Sequence, residues 1–210
     1  GVEIKSFVSA VGTVKLNNCY KDMDLTKIDN NLVRCPEEEV ADKMISEIES
    51  TRKNGDTIGG EITVIAKGVP VGWGEAVFDK LHADIGKSML SINAVHGFKF
   101  GFGGVDISES KGSEVNDIIV DEKGITKTNF SGGIQGGISN GNDIYAEVYF
   151  KPVATIMQKQ NSIDKEGNRV EVQGKGRHDA CVVPRAVPIV ESMMALTLVD
   201  HYLISKTNKI

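Results

Sequence analysis

The chain has 210 residues, of which 40% are hydrophobic and 25% are charged, and its formal net charge is -5. These are ordinary values for a globular protein, and the acidic balance without a Lys/Arg stripe argues against a nucleic-acid-binding surface. No apolar run approaches the ~20 residues that span a bilayer, so we expect no membrane helix.

Three cysteines, Cys19, Cys35 and Cys181, lie far apart and match neither a zinc-site spacing nor a disulfide framework. Their pattern favours free thiols in a reducing, cytoplasmic setting. The chain begins with Gly1 inside a segment that alternates like a strand, without the basic-then-apolar layout of a signal peptide. We therefore expect it to be a piece of something longer.

The first elements are strongly patterned. Residues 2–16 read as one or two strands. Residues 36–53, PEEEVADKMISEIESTRK, predict a helix, because Pro36 suits a first turn and three glutamates complement the positive N-terminal dipole. Gly55 then stops the helix, and residues 61–67, EITVIAK, alternate as a strand.

A second helix is predicted after a loop rich in Gly and Pro. It spans about 78–94, and its apolar face consists of Phe78, Leu81, Ile85 and Leu90.

The second half of the chain alternates short elements with turns. After a short strand and turn in GFKFGFGG, the sequence predicts a short polar helix near 108–117, a hairpin over 118–130 and a strand over 144–150. Residues 163–172, IDKEGNRVEV, predict a second hairpin or an exposed loop. The final helix, about 184–204, is apolar almost all round, which is typical of a buried helix.

This order mixes antiparallel strand pairs with single helices. It favours an α+β fold, a layered α/β sandwich in which helices cover a largely antiparallel sheet. No internal repeat or linker divides the chain, so we treat residues 1–210 as a single domain.

Four short segments are candidates for chemistry. The first is the glycine-rich loop 131–143, whose GGIQGGISNG can turn backbone N–H groups toward an anion. It matches neither G-x-G-x-x-G after a strand nor a Walker loop, and the pattern alone favours the alternative, a floppy or tightly turning connection.

The second and third segments follow regular elements. KPVAT, Lys151 to Thr155, ends a strand, and its Lys and Thr could hold a phosphate or a ribityl chain; a solvated Lys is the alternative. SINAV, Ser91 to Val95, ends the second helix. Asn93 there is either a C-cap or an amide that bonds the edge of a heterocycle.

The fourth segment, GKGRHDACVVPRAVPIVESMM, places three polar groups at the start of the apolar final helix. Arg177 can clamp a phosphate or carboxylate, and His178 can move a proton near neutral pH. Asp179 could cap the helix or act as a base. The alternative is an Arg–Asp ion pair and cap without chemistry.

Together with GDTIGGEITVIAKGVPVGWGEAVFDKLHADIGKSMLSINAVHGFKFGFG and SGGIQGGISNGNDI, the order and spacing of these segments resemble the C-terminal part of the chorismate synthase family. The RHD-x-C-x-x-PRAVPIVE segment is the most specific part, with Ala180 where the family often has Pro. The family's N-terminal Ser-His-Gly motif and its R-S-S-A-R-E-T stretch, which supply further substrate contacts, flavin contacts and catalytic histidines, are absent from this sequence.

The resemblance implies an activity and a set of site residues. The family eliminates phosphate from 5-enolpyruvylshikimate 3-phosphate to give chorismate, in an anti 1,4-elimination that requires reduced FMN; it is also associated with NADP and forms homotetramers. By motif match, Asp179 would be the catalytic residue. Residues that would contact FMN are Asn93, Ala94, Gly136, Lys151, Pro152, Val153, Ala154, Thr155 and Arg177.

The resemblance implies no metal, and whether flavin reduction is intrinsic or supplied by another protein stays open. The competing hypothesis is a non-catalytic flavin-binding or assembly fragment that lacks the N-terminal catalytic residues.

Overall fold

The computed structural model describes residues 1–101, 108–122, 124–176 and 178–207. Two 3₁₀ turns, Tyr20–Asp22 and Leu25–Asn30, precede the first helix. In the described part of the chain the other elements are β1 (Glu3–Val11), β2 (Val14–Lys15), α1 (Glu38–Lys53), β3 (Gly60–Lys67), α2 (Leu81–Leu90), β4 (Val95–Phe100), α3 (Gly112–Val115), β5 (Ile134–Gln135), β6 (Ile138–Ser139), β7 (Ile144–Phe150), β8 (Gln160–Ile163), β9 (Arg169–Val172) and α4 (Val183–Thr207).

The core of the fold is a five-stranded sheet in the order β2-β1-β3-β7-β4, in which every pair is antiparallel. Side chains alternate between its two faces. On one face Ile62 and Val64 pack with helices α1, α2 and α4. On the other face Ile65 packs with Tyr20 and Ile28 from the 3₁₀ turns. The expected α+β sandwich of antiparallel sheet and helices is confirmed.

Helix α2 is shorter than the sequence predicted. It begins at Leu81 because Asp79 adopts a left-handed φ of 56°, which no right-handed helix can continue through. Phe78 therefore lies outside the helix and is 82% exposed, and Leu90 at the last turn is 53% exposed. The buried stripe consists of Leu81, Ile85, Gly86 and Met89 instead.

Helix α4 is buried on one face only, which corrects the expectation of an all-round buried helix. The buried side chains recur at helical spacing: Val183, Ala186, Val187, Val190, Met194, Leu198 and His201. Each buried Val, Leu or Met contributes about 1.5–3 kcal/mol. Leu196, Val199 and Leu203 lie on the other side and are more than half exposed.

Among the described residues, α4 is long and apolar enough to cross a membrane by length and composition alone, whereas the sequence analysis expected no such helix. One such helix is weak evidence, because the core helix of a globular protein passes the same test.

The proline inside α4 has a structural consequence. Pro188 has no N–H, so the carbonyl of Pro184 lacks its usual i+4 donor within the helix. The guanidinium of Arg34 donates to that carbonyl at 2.9 Å. The backbone carbonyl of Arg34 in turn accepts from the N–H of Val8 on β1, so this loop ties the sheet to the start of α4.

Both hairpins predicted in the second half of the chain have antiparallel pairing in the structure, the first only as a single bridge. Residues 119 and 126 pair as an isolated bridge, and β8 and β9 form a separate two-stranded sheet. The strand predicted over 144–150 matches β7 at both ends.

Candidate functional site

Three of the predicted segments meet in one cleft at the start of α4. The cleft has a volume of about 560 Å³, which lies within the ~300–1,000 Å³ range of small-molecule sites. We call it the β7–α4 cleft; its lining residues are Ser91, Ile92, Asn93, Ala94, Phe150, Val153, Val182, Arg185, Ala186, Ile189 and Met193.

The backbone of Ala94 has an unusual conformation. Its φ of 69° lies in the left-handed region, which costs a non-glycine residue about 1 kcal/mol or more. This conformation follows the end of α2 and precedes β4. The carbonyl of Ala94 accepts from the N–H of Lys151 at 2.9 Å, so the SINAV and KPVAT segments are joined directly.

Asn93 is not the C-cap that one of the sequence interpretations proposed. That position belongs to Ser91, whose N–H donates back to Lys87. Asn93 is exposed at the cleft, and within the described part of the chain its side-chain amide has no hydrogen-bond partner. Its donor and acceptor atoms are therefore available to a ligand.

The KPVAT segment is anchored through its backbone. The hydroxyl of Thr57 donates to the carbonyl of Val153 at 2.6 Å, and the N–H of Ile58 donates to the carbonyl of Ala180 at 2.8 Å. Two consecutive residues before β3 thereby join KPVAT to the turn before α4. Val153 lines the cleft, whereas Lys151, Pro152, Ala154 and Thr155 are exposed.

Asp179 forms an ion pair with Arg185, a partner that the sequence analysis did not consider. An oxygen of Asp179 lies 3.0 Å from a guanidinium nitrogen of Arg185, and the side chains are 37% and 76% exposed. Arg185 lines the cleft, so the carboxylate of Asp179 is held beside it. Arg177 lies outside the described residues.

Sequence reasoning missed Arg185, although a physical signal was available. Arg185 stands in the first turn of α4, which contains no acidic residue. A cation at the positive end of a helix dipole is unfavourable unless an anion lies nearby. Asp179 supplies one such anion, and the cleft leaves the exposed guanidinium accessible to another.

The neighbours of Asp179 differ in exposure. His178 is exposed, and its Nε2 lies 2.9 Å from the carbonyl of Lys175 in the same loop. Cys181 is buried, and burial together with the charge of Asp179 raises the pKa of its thiol to about 11, against a hydrogen bond with Val183 that lowers it. This cysteine is therefore a packing residue, not a nucleophile, near neutral pH.

Gly136 lies elsewhere. It forms the two-residue turn of the β5–β6 hairpin with Gly137, at φ values of 63° and 99°, the combination of a type I′ turn. The carbonyl of Gly137 accepts from the N–H of Leu81 at the first turn of α2. Asn93 and Ala94 follow the opposite end of α2, about 15 Å away along the helix axis.

The lining of the cleft suits a flavin. Ile92, Phe150, Val153, Ile189 and Met193 offer an apolar wall for a ring system. The exposed amide of Asn93 can bond a heterocycle edge, and Arg185 offers a cation for a phosphate. In the part of the chain that the structure describes, no group of three or more His, Cys, Asp or Glu side chains is placed to hold a metal ion.

Comparisons with known proteins agree on one family. A family model described as chorismate synthase matches residues 1–203. A chorismate synthase of Christiangramia forsetii is 57% identical over 209 residues, and one of Cytophaga hutchinsonii is 57% identical over 208; these matches cover 100% and 98% of this chain. A solved structure titled crystal structure of chorismate synthase superposes with a TM-score of 0.78 at 25% identity and covers 98% of this chain.

The chain spans only part of these proteins. It covers 58% of the length of the two curated relatives and 58% of the solved chain.

Proposed function

Because this chain belongs to the chorismate synthase family, we propose that it carries the part of the flavin and substrate site that lies in the β7–α4 cleft. The proposed reaction is the anti 1,4-elimination of phosphate from 5-enolpyruvylshikimate 3-phosphate to give chorismate, with reduced FMN bound. The observation that carries the proposal is the convergence of Asn93, Ala94, Val153 and Arg185 on one cleft, with Asp179 beside it.

Each of these residues has a distinct proposed role. The amide of Asn93 and the apolar wall orient the flavin ring. Lys151 and Thr155 are exposed near the end of β7, on either side of the anchored Val153, and their proposed role is to bind the ribityl phosphate. Gly136, at the other end of α2 from the β7–α4 cleft, and Arg177, outside the described residues, stay in the proposal as flavin contacts by motif match alone.

The reaction removes a ring proton and a phosphate without net oxidation. Reduced FMN, held by the residues named above, would supply electron density to the substrate and so assist the departure of phosphate. Asp179 is proposed as the group that takes the proton, since its carboxylate is part-exposed and Arg185 keeps it oriented. Arg185 also places a positive charge where an anionic substrate would bind.

The test separates chemistry from binding. Asp179→Asn is compared with Asp200→Asn, a matched change at an exposed position of α4. We expect the former to reduce anaerobic chorismate formation about 10²–10⁴-fold, the typical effect of losing a general base. FMN affinity, measured by fluorescence quenching, should stay unchanged in both variants. Unchanged turnover in Asp179→Asn would refute the role of this carboxylate.

The incomplete coverage of the relatives favours a second candidate function. The 210-residue chain would then be a flavin-binding or assembly fragment without turnover. The discriminating measurement is FMN binding and chorismate formation by this chain alone. Binding without activity supports the fragment, and activity refutes it.

The assembly and the location are proposed with the function. The family resemblance supports a homotetramer working in the cytoplasm and an association with NADP.

A further inference from the structure

The β8–β9 hairpin is a separate two-stranded sheet whose residues are almost all exposed. Only Val170 among the eight strand residues is partly buried, and Ile163 is 68% exposed. A two-stranded hairpin by itself is marginally stable in water. Among the described residues, the backbone groups along its two outer edges have no hydrogen-bond partner and can accept a further strand.

One hydrogen bond shows which residues of β9 point their backbone N–H and C=O groups away from β8. The N–H of Asp164 donates to the carbonyl of Asn168 at 3.0 Å, so this opposing pair is a hydrogen-bonded one. Pairs alternate along an antiparallel ladder, and residue 162 lies opposite residue 170. Asn168 and Val170 therefore point their backbone groups toward β8, whereas Arg169 and Glu171 point theirs to the free edge.

The free edge of β9 is complementary to itself. Two β9 strands related by a two-fold axis through Val170 place Arg169 opposite Glu171 of the second copy, and Glu171 opposite its Arg169. These are the residues whose N–H and C=O groups face outward, so each pair exchanges backbone hydrogen bonds and adds an ion pair. The ammonium of Lys159 lies 2.8 Å from a carboxylate oxygen of Glu171. A carboxylate can accept from several donors, so this contact leaves room for Arg169 of the second copy.

The opposite edge of the hairpin has no such match. By the same alternation Asn161 and Ile163 face outward on β8, and a two-fold pairing there sets an amide against an apolar side chain. We therefore propose that a second copy of this chain docks on the free edge of β9, in the register centred on Val170. Such a two-fold contact can supply one axis of a larger symmetric assembly.

Charge reversal tests the pairing. Arg169→Glu sets like charges against Glu171 of the second copy, and Glu171→Arg sets like charges against its Arg169. Each single variant should weaken self-association roughly tenfold in sedimentation velocity. The two single variants mixed together, and the double variant R169E/E171R, restore opposite charges at both positions and should recover it. If the single variants, their mixture and the double variant all self-associate equally, the proposal is overturned.

A cysteine scan tests the register without depending on other contacts. In a Cys19→Ser background the remaining thiols, Cys35 and Cys181, are buried. Val170→Cys brings two Cα atoms about 4.5 Å apart across the axis, within disulfide range. Val172→Cys is the matched control, because its two copies lie about 14 Å apart along the strand.

Mild oxidation should convert the Val170→Cys variant to a disulfide-linked dimer of twice the 22.7 kDa chain mass, while the Val172→Cys variant stays monomeric on a non-reducing gel. Equal cross-linking of both variants, or none of Val170→Cys, refutes this register.

Discussion

Arg34 provides a strong test of how α4 tolerates its internal proline. Its guanidinium is 2.9 Å from the carbonyl of Pro184, a position that no N–H from Pro188 can reach. Hydrogen bonds from charged donors contribute about 1.5–3 kcal/mol. The ion pair of Arg34 with Asp29 adds little, because Asp29 is 85% exposed and such pairs contribute ~0–1 kcal/mol.

We therefore expect Arg34→Met to reduce the free energy of unfolding by about 2 kcal/mol. The substitution keeps an unbranched side chain that can replace the apolar stem of Arg34. As a non-glycine residue, Met also keeps the cost of the left-handed φ of 58° at this position. Asp29→Asn is the control and should cost less than about 1 kcal/mol. Urea unfolding followed by circular dichroism measures all the variants, with an unchanged m-value as the check on two-state behaviour.

A double-mutant cycle with Pro188→Ala tests whether Arg34 matters because it replaces the missing helix hydrogen bond. In a Pro188→Ala background, residue 188 regains an N–H that can donate to the carbonyl of Pro184. The cost of Arg34→Met should then fall by about 1 kcal/mol, since the carbonyl keeps a donor. If Arg34→Met costs the same in both backgrounds, or less than about 0.5 kcal/mol in the parent, the proposed replacement of a helix hydrogen bond is wrong.

Three further predictions concern single residues. Gly133→Ala should lower the free energy of unfolding in urea by more than about 2 kcal/mol, and Gly136→Ala by only about 1 kcal/mol. Both glycines have positive φ, but a Cβ on Gly133 would lie 2.6 Å from a backbone oxygen, whereas a Cβ on Gly136 would meet open space. A thiol reagent at pH 8 should modify Cys19 at once and Cys181 only after unfolding, because Cys181 is buried with its pKa raised to about 11. Burial raises the pKa of Asp117, but hydrogen bonds from residues 128, 130 and 131 outweigh burial and hold this pKa below 3.8. The charged carboxylate therefore stabilises the fold fully above the unfolded pKa, and this stabilisation is lost as the pH falls through the lower folded pKa.

Each of these has a contrary outcome. Equal costs at the two glycines would mean that crowding does not matter in this loop. Rapid labelling of every thiol in the folded chain would contradict the burial of the core cysteines. If Asp117→Asn leaves the acid limb of stability unchanged, its hydrogen bonds do not act through the charged form.

The sequence predicted the elements whose pattern is local. The helix over 36–53 and the strand over 144–150 were identified because charge at a helix end, apolar spacing and strict alternation are properties of neighbouring residues. The antiparallel sandwich followed from their order. The predicted ends of α2 were wrong. Asp79 and Ala94 adopt left-handed backbone conformations, and their residue types do not indicate this.

The site divides in the same way. Sequence alone predicted Asn93, KPVAT and Asp179 as candidate site residues, through motifs whose order and spacing resemble one family. Only the tertiary structure showed that Asp179 pairs with Arg185, that Asn93 is free of a capping role, and that Gly136 lies at the other end of α2. These facts depend on contacts between residues far apart in the chain or on the path of the backbone, and such contacts form only when the sheet and helices pack together.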